Sequence, residues 1–497
     1  MSIGLDVKVA KPGFWHYPKT FHAILLIEFW ERLAFYGLQS VAIIYFIQKF
    51  NLDGEKANIL FASFASLIYA FAAIGGAIGD KLLGLKRTYV LGILFLFAGY
   101  ILFAISSQLP NIYLSMGFIL VGNILFKAVS TQYVSRSFES NDPRLDSAYT
   151  YFYMIVNLGG LCGMLLAPIL AFAFGYVIAV LICSIAMFIA VLCFLIYKER
   201  FFLADNQIGK NHRSKLLHMF GVIVTGIITA YIFSCVLNDF ALSKLILYIV
   251  AFITLGIYIV VAIKENKTES KGMFIALILT LQAVVFFILY IQLNTSITVF
   301  AQHNVRLEFG GYTIWPSMIR SFNLGFVALF SPFLAIWYIK LYKSGANINI
   351  PVKFAVGIIL AGLSFVTLAV GASFSADAFG QVSILWLVLA HAFCALGEIF
   401  ISALGPVMMV KLLPKRIAGF GIGVWFLSSA IGIRIGAGIS DWDVLTAYSA
   451  DSIIKTLDTQ ILLFLKLGSV SIIVGLVLLV LAKSLSRSIS DVLRRRY

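Results

Sequence analysis

Glu28-Phe29-Trp30-Glu31-Arg32-Leu33-Ala34-Phe35-Tyr36-Gly37 lies inside the first long apolar run of a 497-residue chain. Helical spacing puts Glu28, Glu31 and Arg32 on one face, and Phe35, Tyr36 and Gln39 continue the stripe. Ionisable groups within a membrane span are expensive and usually face a bundle interior or a wet cavity. Two carboxylates beside a guanidinium in that setting form a group suited to handling protons. The fold follows from the segments that surround this one.

The chain is 61% hydrophobic and 12% charged, where soluble chains carry about 25% charged residues. That composition specifies an integral membrane protein. The net charge of +15 does not mark a nucleic-acid partner, because Lys and Arg recur in short loops between apolar segments instead of pooling in a patch. The five cysteines (Cys162, Cys183, Cys193, Cys235, Cys394) all fall in apolar segments, as small core residues do, and their odd number argues against a disulfide framework. Residues 1–20 carry Lys8, Lys11 and Lys19 and no cleavable signal, which predicts a cytoplasmic leader.

Apolar segments long enough to span a bilayer occur at 21–49, 57–80, 88–106, 111–135, 146–173, 176–197, 216–237, 241–263, 273–302, 314–339, 352–374, 380–410, 416–439 and 460–482, fourteen in all. Alternate loops are basic: Lys81, Lys86 and Arg87; Arg136 and Arg144; the 198–215 loop; Lys264, Lys267 and Lys271; Lys340, Lys343 and Lys353; Lys411, Lys415 and Arg416; and the tail from Lys483 to Arg496. The intervening loops hold few, and 441–458 is acidic. This bias predicts that both termini are cytoplasmic. The even count predicts two six-helix bundles, 21–198 and 272–484, joined by a linker, 199–271, whose two nearly uncharged helices pack outside the core; residues 485–497 read as a basic tail.

Few charges lie within the spans away from their ends: Glu28, Glu31, Glu398, Arg32, Lys127, Arg320, Arg434 and Lys466. Lys466 lies near a helix end and reads as snorkelling. Arg320 and Arg434, near outer ends, either snorkel or line an outer vestibule. The first-half group Glu28, Glu31, Arg32 and Lys127 sums to zero charge. Glu398 has no basic partner evident at its depth, so it calls for a proton or a cation. A cavity with cations on one wall and an anion on the other suits a zwitterion. Charges that only fix helix packing are the alternative, and an uncompensated Glu398 serves that purpose poorly. No metal-ligand spacing or nucleophile set appears, since His16, His22, His212, His218, His303 and His391 are scattered; an enzyme is not expected.

Several motifs carry a resemblance. Gly76, Gly79, Asp80 and Gly84, followed by basic residues, resemble the loop between the second and third helices of major facilitator superfamily transporters, a gate with closely approaching helices. The opening stretch resembles the ExxER…YG signature of proton-dependent oligopeptide transporters, and Phe152-Tyr153-Met154-Ile155-Val156-Asn157-Leu158-Gly159-Gly160-Leu161 resembles FYxxINxGSL, departing at Val156 and Gly160. The surroundings of Lys127, Glu398 and Gly423-Val424-Trp425 also correspond. The likeness runs from about 15 to 484 and points toward the enterobacterial di- and tripeptide permeases. It implies an all-α major facilitator fold with two extra helices in a bacterial inner membrane. It also implies proton-coupled import of di- and tripeptides by a monomer, with the proton as coupling ion and no cofactor or nucleic acid.

By the same resemblance, Glu28, Glu31, Arg32 and Lys127 couple protons. Tyr36, Tyr69, Lys127, Asn157, Asn323 and Glu398 contact the peptide, with Phe300 and Trp425 as pocket walls. Three departures stand out: Leu33 and Phe35 replace aromatic signature residues, Gln292-Leu293-Asn294 offers no acid, and Leu324 follows Asn323 where Pro is common. These departures, with Arg320 and Arg434, leave a carrier of single amino acids or another small organic ion as the rival.

Overall fold

The computed structural model describes residues 14–52, 54–138, 142, 144–203, 212–293, 295–309, 312–313, 319–344, 348–443 and 453–496. Lipid offers no partner to backbone N–H and C=O groups, so a chain this apolar resolves into helices that satisfy their own. They are α1 (Lys19–Phe50), α2 (Gly54–Lys81), α3 (Leu85–Ile105), α4 (Leu109–Arg136), α5 (Leu145–Phe174), α6 (Tyr176–Leu203), α7 (His212–Asn238) and α8 (Phe240–Lys264). There follow α9 (Lys267–Ile291), α10 (Ser296–Asn304), α11 (Ile319–Lys343), α12 (Ile350–Ser375), α13 (Ile384–Glu398), α14 (Gly405–Leu412), α15 (Ala418–Asp443) and α16 (Ile453–Arg496). Among the described residues, 14 helical stretches are long and apolar enough to cross a membrane, α9 with α10 and α13 with α14 each making one.

In the first group, α1 lies against α5 and α6, and α3 against α4 and α6; in the last, α12 packs on α16 and α13, and α9 on α15. The groups meet along α2–α15 and α5–α11. Helices α7 and α8 sit outside, α7 on α4 and α8 on α2. Asp239 starts α8 by accepting from the Ala241 and Leu242 amides at 3.0 and 3.1 Å, and Asn266 starts α9 by accepting from the Glu269 amide at 2.9 Å. Each fills donors that the first helical turn leaves open.

Three features depart from the sequence expectations. The 273–302 segment is broken between α9 and α10, where Gln292 donates to the Gly436 carbonyl at 2.9 Å and accepts from the Ser296 hydroxyl at 2.7 Å; Asn294 lies outside the described residues. The 380–410 segment passes through a π-helical turn, Ile399–Ala403, directly after Glu398. Pro406 explains it: without an N–H it cannot continue the regular ladder, and a wider turn absorbs the mismatch. The last helix runs unbroken through the residues read as a tail, and Asp491 reaches Lys271 at 3.6 Å.

Loops differ at the two ends. One end carries the basic loops. At the other, β1 (Val305–Arg306) pairs in parallel with β4 (Val382–Ser383), and β2 (Glu308–Phe309) pairs with β3 (Tyr312–Thr313). Asp377 accepts from the Gln381 amide at 2.8 Å and pairs with Arg306; the Gln381 bond, then Arg306, holds its carboxyl below the usual range. Residues 1–13 of the expected leader, and 444–452 of the acidic loop, lie outside the described residues.

Candidate functional site

The ionisable residues of α1 form one buried cluster. Glu31 is fully buried and meets the Arg32 Nε at 2.5 Å; Glu28 meets the same nitrogen at 3.1 Å. Glu28 also accepts from the Ser130 hydroxyl of α4 at 2.5 Å, a second partner beyond the guanidinium. The guanidinium lies 5.5 Å from the Phe35 ring centroid, which places a π face where the family signature has a tyrosine. Leu33 is buried, its carbonyl closely approached by Gly163 of α5.

Lys127 does not join this cluster by an ion pair, among the described residues. Its ammonium stands 3.8 Å from the centroid of Tyr69 and 5.1 Å from that of Phe426 on α15. Aromatic faces stabilise a desolvated cation by up to about 2 kcal/mol, and they leave its donors available to an incoming anion. Tyr36 completes this wall. Its ring rests on Gly160, where an added Cβ would lie 2.9 Å from the ring. The Gly at this signature position is therefore what lets α5 approach Tyr36.

The facing wall is built by α9, α11 and α13. Glu398 is almost fully buried and accepts from the Tyr153 hydroxyl at 2.5 Å. Tyr290, Asn323 and Arg320 flank it. Arg320 thus lies against the Tyr36 ring, 5.8 Å from its centroid, instead of snorkelling. The expectation that Glu398 lacks a basic neighbour is corrected accordingly, although the two are not in ion-pair contact among the described residues. Helix α11 runs straight through Asn323 and Leu324 and carries its proline at 332.

Other expected residues fall differently. Phe300 is packed edge-on to Phe464 of α16 at 5.3 Å and is not a pocket wall. Trp425 is almost fully buried against Phe287 and Phe354, under Gly405; its neighbour Phe426 takes the wall position instead. Asn157 spends its amide donor on the Tyr153 carbonyl one turn back, at 2.8 Å. Arg434 reaches the Tyr248 hydroxyl of α8 at 3.4 Å, away from the cavity. Lys466 is exposed, as snorkelling requires.

At the basic end the two groups of helices are latched. Asp80 accepts from Gln132 at 2.8 Å and, across the divide, from the Phe420 amide at 2.9 Å, in the first turn of α15. A carboxylate at a helix N-terminus completes open donors and complements the helix dipole. Gly84 turns the chain into α3 with φ of 81°, a conformation that suits glycine. Asp146 pairs with Lys353 at 2.8 Å and Lys411 at 2.6 Å, and Ser147 donates to the Ala335 carbonyl at 2.6 Å. In the sequence Lys353 and Lys411 look like ordinary loop charges, and nothing there ties Asp146 to them.

Backbone contact makes this closure specific. A Cβ on Gly76 would lie 2.1 Å from the Gly419 carbonyl oxygen, and one on Gly79 would lie 2.9 Å from Val129. Gly76→Ala should therefore oppose this closed arrangement while leaving the helices intact. Overpacking typically costs about 1–3 kcal/mol, so initial uptake in proteoliposomes should fall roughly ten- to a hundredfold. Unchanged uptake at equal protein density would remove Gly76 from the gate.

A family profile described as the POT family matches residues 86–450. Dipeptide and tripeptide permease B of Edwardsiella piscicida is 36% identical over 480 residues, covering 96% of this chain and 97% of that protein. Dipeptide and tripeptide permease A of Chromobacterium violaceum is 36% identical over 479 residues, with 95% of each chain covered. A solved bacterial homologue of the human drug peptide transporters PepT1 and PepT2 shares 28% identity and a TM-score of 0.72, over 95% of this chain and 99% of that one. A solved tetrameric PepTSo2 gives 0.71 at 28% identity, over 94% and 98%. With a profile spanning most of the chain and relatives matched over nearly all of it, the protein belongs to the POT family.

Proposed function

We propose that the protein is a proton-coupled symporter that imports di- and tripeptides by alternating access. The observation that carries this is the opposition of a cationic wall at Lys127 and an anionic one at Glu398. Among the described residues Lys127 forms no ion pair and rests on the Tyr69 and Phe426 rings on one side, and buried Glu398 lies beside Asn323 and Tyr290 on the other. A short peptide offers a carboxylate, an amide and an ammonium in that order. The named polar contacts address the backbone and termini, so varied side chains are accepted.

Glu31 and Glu28 hold Arg32. Protonation of one of them from outside weakens that hold and frees positive potential for the peptide carboxylate. Peptide that bridges both walls favours closure around it, since only differential contacts between states can shift their balance. Proton release inside restores the pair and expels the peptide. The two glutamates share one guanidinium, so a change at one is felt by the other.

The basic end is assigned to the cytoplasm by the positive-inside rule, with both termini there and the membrane the inner membrane of a bacterium. On this assignment the latched end bars the cytoplasmic exit. Bundles 21–198 and 272–484 form the transport core, with 199–271 as peripheral linker. The working unit is a monomer that uses no cofactor beyond the proton.

Uptake of labelled dialanine driven by a proton gradient, challenged with unlabelled competitors, tests this reading. Di- and tripeptides should compete strongly, single amino acids and tetrapeptides at least about tenfold less, as expected when a buried charge loses its partner. Equal competition by alanine would favour the rival amino-acid carrier.

A further inference from the structure

Helices α12 and α16 pack in close contact within the membrane and part at the basic end. A Cβ on Gly468 would lie 2.9 Å from the Gly362 carbonyl oxygen, and one on Gly475 would lie 3.1 Å from that of Ala355. Beyond Gly475 the chain has no further glycine, and longer side chains hold the two helices apart around a cavity of about 550 Å³. Lys483, Arg487 and Arg494 line it from α16, and Asn349 and Val352 from the start of α12. The other face of this part of α16 is fastened: Val492 is buried, 3.3 Å from where a Cβ on Gly272 of α9 would stand. The cavity therefore belongs to the packed fold.

None of the three cations forms an ion pair among the described residues. The lining holds one carboxylate, Asp491, which faces Lys271 at 3.6 Å, so the cavity keeps a positive balance. The N-terminal end of α12 adds the positive end of its dipole. Ser486, only 8% exposed, also lines the cavity, and its hydroxyl is buried without a hydrogen-bond partner. Buried polar atoms are almost always bonded, so this one marks the place of an acceptor. Phosphate oxygens answer both the charge and the donors.

Spacings of three and four put Ile473, Leu476, Val480, Lys483 and Arg487 in one stripe along α16. Its first three members are 60%, 51% and 79% exposed, as residues that face acyl chains are. The stripe turns from apolar to basic within one helical turn, between Val480 and Lys483. An occupant that matches the whole stripe carries an acyl chain and an anion in one molecule, which a free phosphate does not.

We propose that the cavity between α12 and α16 binds the headgroup phosphate of an anionic phospholipid, with an acyl chain along Ile473, Leu476 and Val480. Lys483 and Arg487, one turn apart, hold the phosphate. Arg494 lies about 10 Å further along the helix and meets the outer part of the headgroup. Basic pockets at this depth are where anionic headgroups are recognised. The site is separate from the peptide pocket and stands whether or not the symport reading does.

The test follows thermal unfolding of the full chain, delipidated in a neutral detergent, as phosphatidylglycerol, phosphatidylcholine or inorganic phosphate is added. A ligand bound only by the folded form raises the unfolding temperature as its concentration rises. For wild type, phosphatidylglycerol should act at about tenfold lower concentration than phosphatidylcholine, and inorganic phosphate should produce no comparable rise. Lys483→Gln with Arg487→Gln should weaken the phosphatidylglycerol effect by at least about tenfold, at roughly fivefold per cation, whereas Lys483→Arg should keep it. Lys198→Gln with Arg200→Gln removes the same charge at the end of α6 and should change it less than about twofold. Equal action of the two lipids on wild type overturns the proposal even if the Lys483 and Arg487 double variant fails to fold. Equal losses in the two double variants overturn it too, since general surface charge would then account for the effect. A rise with inorganic phosphate that matches the lipid's overturns the lipid assignment in favour of a free anion.

Discussion

Proteoliposomes containing Glu31→Gln should lose gradient-driven peptide accumulation by at least about a hundredfold, on the scale of a disrupted buried charge pair, while counterflow exchange stays within about tenfold of wild type. The asymmetry around Arg32 dictates this. Glu28 keeps the Ser130 hydroxyl at 2.5 Å when its hold on the guanidinium slackens. Glu31 is fully buried and its charge is answered by Arg32 alone in direct ion-pair contact, at 2.5 Å. The Gln variant fixes the cluster in its protonated-like charge state. Peptide can still cross in exchange, but no proton cycle remains to be coupled. Counterflow should also become nearly independent of pH. Accumulation at the wild-type level in a gradient would show that the α1 cluster does not couple protons.

The bundle was legible in the sequence because membrane burial imposes length and composition on every span, and because loop charge repeats at alternate turns. The ion cluster of α1 was legible for a related reason: charge inside an apolar run has few explanations. Depth was harder to read. Arg320 follows an apolar stretch, so the edge of that run does not mark the edge of the membrane, and a central residue looked peripheral. Facing was harder still. Phe300, Trp425 and Phe426 lie on helices that are apolar all round, which removes the periodic signal that separates wall from packing. The π turn after Glu398 had a signal in Pro406, and the break at Gln292–Thr295 had one in its polar run. Pairing across the bundle had none. Asp146, Lys353 and Lys411 are separated by hundreds of positions, and counting loop charge treats such residues as unrelated.

That unread pairing predicts the second large effect. Asp146→Asn should release the basic-end latch and move the population toward the form open on that side. Lys353 is only 2% exposed at its side chain and lies 2.8 Å from Asp146, whereas Lys411 is 32% exposed. With the carboxylate neutralised, Lys353 becomes a buried charge without a counterion in the closed form, with only the Tyr338 ring 4.1 Å away. Removing one partner of a buried pair costs about 3–5 kcal/mol, which corresponds to a shift of roughly a hundred- to several-thousandfold in the balance between forms. Spin labels at Ser137 and Lys343, at the basic ends of α4 and α11 in a cysteine-free background, should report a short distance in wild type and a mainly longer one in Asp146→Asn. Uptake should fall because one half of the cycle is depopulated. Adding Lys353→Met removes the stranded charge while leaving Lys411 to water, so the double variant should recover much of the short distance. Identical distance distributions in wild type and Asp146→Asn would mean that the glycine contacts of α2 with α15 and the Asp80 cap hold the gate without the latch.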